Sequence, residues 1–174
     1  MFRCATLLVI ILTFYSGQIF ASSLEYSVTG VRGELKKNVV GWLGAEPTTP
    51  QERSNFIASA RQNIRQAMKA LGYYRPDIEI NIDKSTLAWD MAIAVTANEP
   101  VRINLIDIAV FGEAKNDSEF TALLAALPFS AGDILHHGVY DRFKKQLIAL
   151  GNRRGYFEAV ITESRVAVNA DNSS

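Results

Sequence analysis

Apolar and polar positions fall into two copies of one pattern along this chain. Leu24, Tyr26 and Val28 alternate with Glu25, Ser27 and Thr29, the period of a strand with one wet face. Leu35, Val39 and Leu43 follow at helical spacing, with Val40 and Trp42 beside them, and Gly44 closes the run. Thr49-Pro50-Gln51-Glu52 is a helix start with a mechanism. Thr49 accepts from the third helical amide, Pro50 suits the first position, and Glu52 reaches back to complete a capping box. Beyond it Phe56, Ile57, Ala60, Ile64, Ala67, Met68 and Leu71 share one face. Arg53, Arg61, Gln62, Arg65 and Lys69 share the other. Gly72 stands where a helix stop needs positive φ. Ile78, Ile80 and Ile82 then alternate with Asp77, Glu79, Asn81 and Asp83, and Met91, Ile93 and Val95 alternate with alanines. The order is β-α-α-β-β.

The second copy begins with Val101, Ile103 and Leu105, continued by Ile106, Ile108 and Val110. The slip of phase at Leu105-Ile106 predicts a bulge in a longer strand. Asn116 and Glu119 are placed as cap and third residue of a short helix carrying Phe120, Leu123, Leu124 and Leu127, ended by Pro128. A helix over 138–152 puts Tyr140, Phe143, Leu147 and Leu150 on one face and Asp141, Lys144 and Lys145 on the other. Val160, Thr162 and Ser164, alternating with Ile161 and Glu163, lead to Val166 and Val168 as strand material. By the first copy's pattern a final strand is missing. Two landmarks fix the repeat: Gly30 and Gly112 lie 82 residues apart, and Gly72 and Gly155 lie 83 apart. After each long helix the glycine permits a sharp exit, and Tyr73 or Tyr156 folds back to close a small core. Gly72, Tyr73, Gly155 and Tyr156 are therefore expected as structural corners.

The N-terminus carries an address. Arg3 precedes an apolar run from Cys4 to Tyr15, too short to span a bilayer, and small residues follow at Ala21-Ser22-Ser23. This is the order of a cleavable secretory signal. Four segments are expected: 1–22 signal peptide, 23–98 first domain, 99–170 second domain lacking its last strand, and 171–174 tail. Cys4, the single cysteine, leaves with the signal, so an exported product holds its fold without disulfides.

Composition narrows the function. The 174 residues are 48% hydrophobic and 21% charged, ordinary for a folded chain. Eighteen basic against 18 acidic side chains give no surplus for gripping phosphates, which argues against a nucleic-acid partner. Two histidines and one cysteine do not make a zinc cluster. No nucleophile elbow, phosphate loop or dinucleotide fingerprint occurs, and Gly30-Val31-Arg32-Gly33 is a strand-to-helix turn with little phosphate-binding signal. No catalytic, cofactor-binding or metal-ligating residue is expected. His136-His137 beside Asp133 and Asp141 is the nearest approach to chemistry, but neighbouring residues point apart, and a polar helix start explains them. Asp117 and Glu119 pair in sequence without any burial argument that raises a pKa. The stripe Arg61, Arg65, Lys69 reads as a solvated face.

An export signal, tandem β-α-α-β-β units and a Gly-Tyr-aromatic corner after each long helix together resemble the POTRA domains of the Omp85 superfamily. The runs that carry the resemblance are 69–74 with Pro76 and Ile78, then 143–145 and 153–157, opened by Val28-x-Gly30-Val31-x-Gly33-x-Leu35. Each motif is short, and their order and spacing over about 24–168 carry the match. The resemblance implies an α+β fold of tandem POTRA-like modules, each a three-stranded sheet covered by two helices. It implies a periplasmic scaffold that contacts unfolded outer-membrane proteins and autotransporters and a TamB-like inner-membrane-anchored protein. Membrane contact in that family runs through a C-terminal barrel, which this sequence lacks. The expectation is thus a fragment or truncated relative, outer-membrane-associated only as part of a longer barrel-bearing protein. The residues agree with a binding role, because a strand edge accepts an extended client by β-augmentation. Ile78, Glu79, Ile80, Asn81 and Ile82 are the candidate partner-binding residues. The charges of Asp77, Glu79, Asp83 and Lys84 are the counter-argument, a blunted edge. Two alternatives remain: a small periplasmic enzyme or ligand-binding protein using the His136-His137 loop, and an inert truncated fragment.

Overall fold

The structure, a computed structural model, describes residues 23–168. The expected signal peptide (1–22) and the tail (171–174) lie outside the described residues. Strand β1 (Leu24–Thr29) leads through Gly30 into helix α1 (Gly33–Leu43), then helix α2 (Pro50–Ala70), strand β2 (Asp77–Asp83) and strand β3 (Trp89–Thr96). This is the expected β-α-α-β-β order. The α2 start is the predicted capping box: the Glu52 amide donates to Thr49 Oγ1 at 3.2 Å, and the Thr49 amide donates to Glu52 Oε2 at 3.1 Å.

The sheet is mixed, in the order β1-β3-β2. β3 pairs parallel with β1, Val28 opposite Ile93, and antiparallel with β2, Ile80 opposite Ile93. The last strand in sequence is therefore the central one, and it alone holds the two outer strands. Its alternation decides its two faces. Met91, Ile93 and Val95 are buried under α1 and α2, and Ala92, Ala94 and Thr96 face outward. Leu24, Val28, Val31, Val39, Leu43, Ala60, Ile64, Ala67, Met68 and Ile78 complete the core. Each fully buried aliphatic chain here contributes about 1.5–3 kcal/mol by leaving water. Val28 ends in Gly30, whose φ is +85°, and a Cβ there would lie 2.3 Å from the Val95 carbonyl oxygen. Glycine is required because β3 passes against it.

The second half follows the pattern in its helices and departs from it in its strands. A 3-10 turn (Gly112–Asn116) leads to helix α3 (Ser118–Ala125), and helix α4 spans His137–Arg153. Phe120, Leu135, Phe143 and Leu150 are its buried apolar residues. The strand expected over 101–110 is not a strand here. Its pairing is an isolated antiparallel bridge between Arg102 and Ile134. Residues 160–168 also pair with nothing as a strand. The first half supplies the reason. In the order β1-β3-β2 the outer strands never touch each other, and among the described residues no third strand lies beside 101–110 or 160–168 to give either a ladder. The predicted phase slip survives in the burial pattern: Val101, Ile103, Ile106, Ile108 and Val110 are half-buried, and Leu105 is exposed.

The cap of α3 also differs from expectation. Asp117, not Asn116, is the N-cap, its Oδ1 accepting from the Glu119 amide at 3.0 Å.

Candidate functional site

The sheet presents one face to the helices and the other to solvent, and it ends in two open rims. β2 is the rim the sequence points to, and the order β1-β3-β2 places it at an edge. Ile78 is buried and Ile80 and Ile82 are half-buried against the core, while Glu79 and Asn81 face out. The isoleucines therefore hold the strand on its own core and are not available to a visitor's side chains. What the edge offers is backbone, with Glu79 and Asn81 on its outer face. Asp77 and Asp83 stand at its two ends. The Asp83 carboxyl is held below its ordinary range, chiefly by the Ser85 amide that donates to it at 2.8 Å. Arg61 belongs to this rim, since its Nη1 donates to the Ile78 carbonyl at 2.5 Å. The basic stripe on α2 is thus not simply solvated: Arg61 ties helix to strand, and Lys69 lies over the Tyr74 ring at 5.5 Å.

Behind the edge, both corners close as helix stops of one kind. The Tyr73 amide donates to the Met68 carbonyl and the Gly72 amide to that of Lys69, each at 3.0 Å. The Tyr156 amide donates to Gly151 at 2.9 Å and the Gly155 amide to Asn152 at 3.2 Å. These are the paired bonds of a Schellman stop, repeated at an offset of 83 residues. Gly72 has φ +92° and Gly155 φ +88°. The first aromatic of each corner packs inward, Tyr73 on the core and Tyr156 edge-on to Phe120 at 6.0 Å. The second does not: Phe157 is exposed, and Tyr74 turns toward the second half.

That turn defines the contact between the halves. The Tyr74 hydroxyl meets His137 Nε2 at 2.5 Å, and His136 Nε2 lies 3.3 Å from Glu34 Oε1 on α1. The Val101 amide donates to the Gly72 carbonyl at 2.8 Å, and the Leu135 amide donates to the Val101 carbonyl at 2.9 Å. A Cβ on Gly72 would stand 2.6 Å from Ile134 Cγ2 and 2.8 Å from the Leu135 carbonyl oxygen. His136 and His137 begin α4 as predicted, yet His136 makes no side-chain cap bond; both rings instead engage the first half. Burial and the charge of Lys69 lower the His137 pKa, so the ring sits neutral against the phenol, and burial raises that of Tyr74. Adjacent histidines in sequence gave no sign of this role.

A polar knot locks the second half. Arg154 Nε donates to Asp117 Oδ2 at 2.9 Å and the Tyr156 hydroxyl to the same oxygen at 3.3 Å. The Arg154 bond is the main cause holding the Asp117 carboxyl below its usual range. Asp117 and Glu119 do not form a carboxylate pair; Glu119 contributes only its amide. Among the described residues no cluster of three or more His, Cys, Asp or Glu is arranged to hold a metal ion.

A three-stranded mixed sheet with its last strand central, two helices over one face and an open β2 rim define a POTRA domain, and residues 25–97 match a family model of that class. Within the class the matching model is POTRA domain TamA domain 1, and the first half is similar to it. The chain is also similar to a solved structure, POTRA1-2 of the periplasmic domain of Omp85 from Anabaena. The identity is 17%, over 85% of this chain and 88% of that one, with a TM-score of 0.35.

Proposed function

We propose that this chain is a periplasmic polypeptide-binding scaffold, working as the POTRA region of an outer-membrane assembly factor and reached through the export segment at 1–22. The division into units at 23–98 and 99–170 belongs to the same reading. Its ligands are extended segments of unfolded outer-membrane proteins and autotransporters, and a TamB-like inner-membrane-anchored protein is its second partner. The supporting observation is the β2 rim: seven residues, Asp77–Asp83, at a sheet edge with their large side chains turned inward. Such an edge recognises a strand by backbone hydrogen bonds, and so accepts many sequences. That tolerance suits a handler of varied clients. Association with the outer membrane belongs to the reading only where a barrel accompanies these units.

The enzymatic alternative relied on His136 and His137. Both rings contact the first half, at Glu34 and Tyr74, which favours a structural role for the pair.

The test is a titration of the mature chain with an extended outer-membrane-strand peptide and with the same peptide N-methylated at alternate residues. Binding of the first and loss of the second, with slowed amide exchange along 77–83, supports edge pairing. Equal binding of both peptides excludes it.

A further inference from the structure

We propose that Arg61 gives the β2 rim a direction: it holds a carboxylate at the carboxyl-ward end of an extended segment lying antiparallel along the rim, opposite Ile78. The proposal rests on the edge reading above. It adds which way the segment runs and which chemical group stops it.

The hydrogen-bonding phase of the sheet decides which groups the rim offers. The Trp89 amide donates to the Ser23 carbonyl at 2.9 Å, so the odd-numbered residues of β3 turn their backbone toward β1. The Thr29 hydroxyl, donating to the Ile93 carbonyl at 3.3 Å, agrees. The even-numbered residues of β3 then turn toward β2, where Ala94 lies opposite Glu79 and Ala92 opposite Asn81. Backbone groups alternate sides along a strand, so Ile78, Ile80 and Ile82 point theirs out of the sheet. Their side chains close the core while their amides and carbonyls make the rim.

Arg61 already uses that outward phase. Its Nη1 reaches from α2 to the Ile78 carbonyl, at 2.5 Å. The guanidinium is a fork of several N–H donors, and this bond takes one of them. The carbonyl oxygen can also accept from a visiting amide, since it has a second lone pair.

Direction follows from the pairing rule. In an antiparallel pair the residue opposite Ile80 exchanges both backbone bonds with it, and the residue opposite Ile78 lies nearer the visitor's carboxyl end. A terminal carboxylate there accepts from the Ile78 amide and from Arg61 together. A side-chain carboxylate on the same residue stands on the helix face, the side from which Arg61 comes. A parallel visitor brings its amino end to that place, against a cation. The nearby acids do not occupy the helix face. Asp77 and Glu79 alternate to the exposed side of the strand, and Asn98 Nδ2 donates to Asp77 at 3.0 Å. Arg65, one turn further along α2, extends the positive charge on the same stripe.

The experiment uses the mature chain and the strand peptide of the titration above, made with a free carboxyl end, as the terminal amide, and as the amide with glutamate in last place. At least one carboxylate form should bind about tenfold more tightly than the plain amide, a gain that shrinks as salt rises. Tighter binding of the free acid alone makes the chain end the source, and of the glutamate form alone a side chain. A spin label on the peptide's carboxyl end should broaden the Ile78 amide resonance more than a label on its amino end. In Arg61→Gln the preference among the peptides should vanish; if that variant does not fold, the peptide and spin-label measurements on the native chain decide. Equal binding of every form, a carboxylate preference that survives in Arg61→Gln, or stronger broadening from the amino end overturns the proposal. Where N-methylation still abolishes binding in those cases, the edge reading stands. Indifference to N-methylation removes the edge reading and this proposal with it.

Discussion

The phenol of Tyr74, from the first half's corner, and the imidazole of His137, from the start of α4, share a hydrogen bond of 2.5 Å. The tyrosine follows the glycine stop of α2, and the histidine opens the matching helix of the second copy. The repeat thus joins itself end to start, with His136 and Glu34 alongside.

This contact should weaken in acid. His137 has its pKa lowered from an ordinary value of 6.5, first by burial and then by Lys69. An unfolded or undocked chain therefore binds the proton more readily than the docked one. The stabilisation is fully present above about pH 6.5 and is lost as pH falls through the lowered value. Spin labels on α1 and α4 should report closely held halves at pH 7.5 and a broader distance distribution near pH 5. His137→Gln should flatten that dependence.

Tyr74→Phe removes one partner of the same bond and should cost about 1 kcal/mol of docking. The second half should become more susceptible to proteolysis, with the first half's melting temperature unchanged. A shift in both would mean that the phenol also supports the core.

The two corner glycines should respond unequally to alanine. Both need a left-handed residue, a strain of roughly 1–3 kcal/mol for a side chain. At Gly72 a Cβ also collides with Ile134 and Leu135, whereas at Gly155 it meets nothing within 4 Å. Gly72→Ala should therefore lower the melting temperature more than Gly155→Ala, measured by calorimetry on the two variants.

Thr49→Ala breaks the capping box of α2 and should cost about 1 kcal/mol, read by chemical denaturation. The loss should be partial, because Glu52 Oε2 still accepts from the Thr48 amide at 2.9 Å and the residue-49 amide at 3.1 Å.

Asp117→Asn should destabilise the second half by loosening both Arg154 and Tyr156. The Asp117 pKa is lowered, mainly by the Arg154 bond, so this contribution is present above the ordinary carboxylate range and is lost as pH falls below it. Acid unfolding monitored at Tyr156 should lose that step in the variant.

Local chemistry was legible in the sequence, and pairing was not. The bounds of α1, the capping box at Thr49 and Glu52, and the two glycine stops depend on residues within a few positions of one another. Periodicity and the chemistry of helix caps found them. Alternation at 101–110 also predicted a strand, and its inward and outward positions are as expected, yet it has no ladder. Alternation states which face is buried; a strand also needs a neighbour, which for 101–110 lies far along the chain in the first half's pattern. Likewise the Asp117–Arg154–Tyr156 knot spans residues 37 and 39 apart, and the Tyr74–His137 bond spans 63. Chain spacing carries no signal for contacts of that reach. The β2 rim was anticipated from its alternating isoleucines, which face the protein's own core and leave backbone at the edge.

The central position of β3 governs the order in which the first domain is completed. A chain delivered amino end first brings β1, both helices and β2 across before Trp89–Thr96 arrives, and none of the earlier strands pairs with another. The sheet closes in one late event, when the final eight residues slide between two waiting flanks. Until then the nascent domain exposes two unpaired rims.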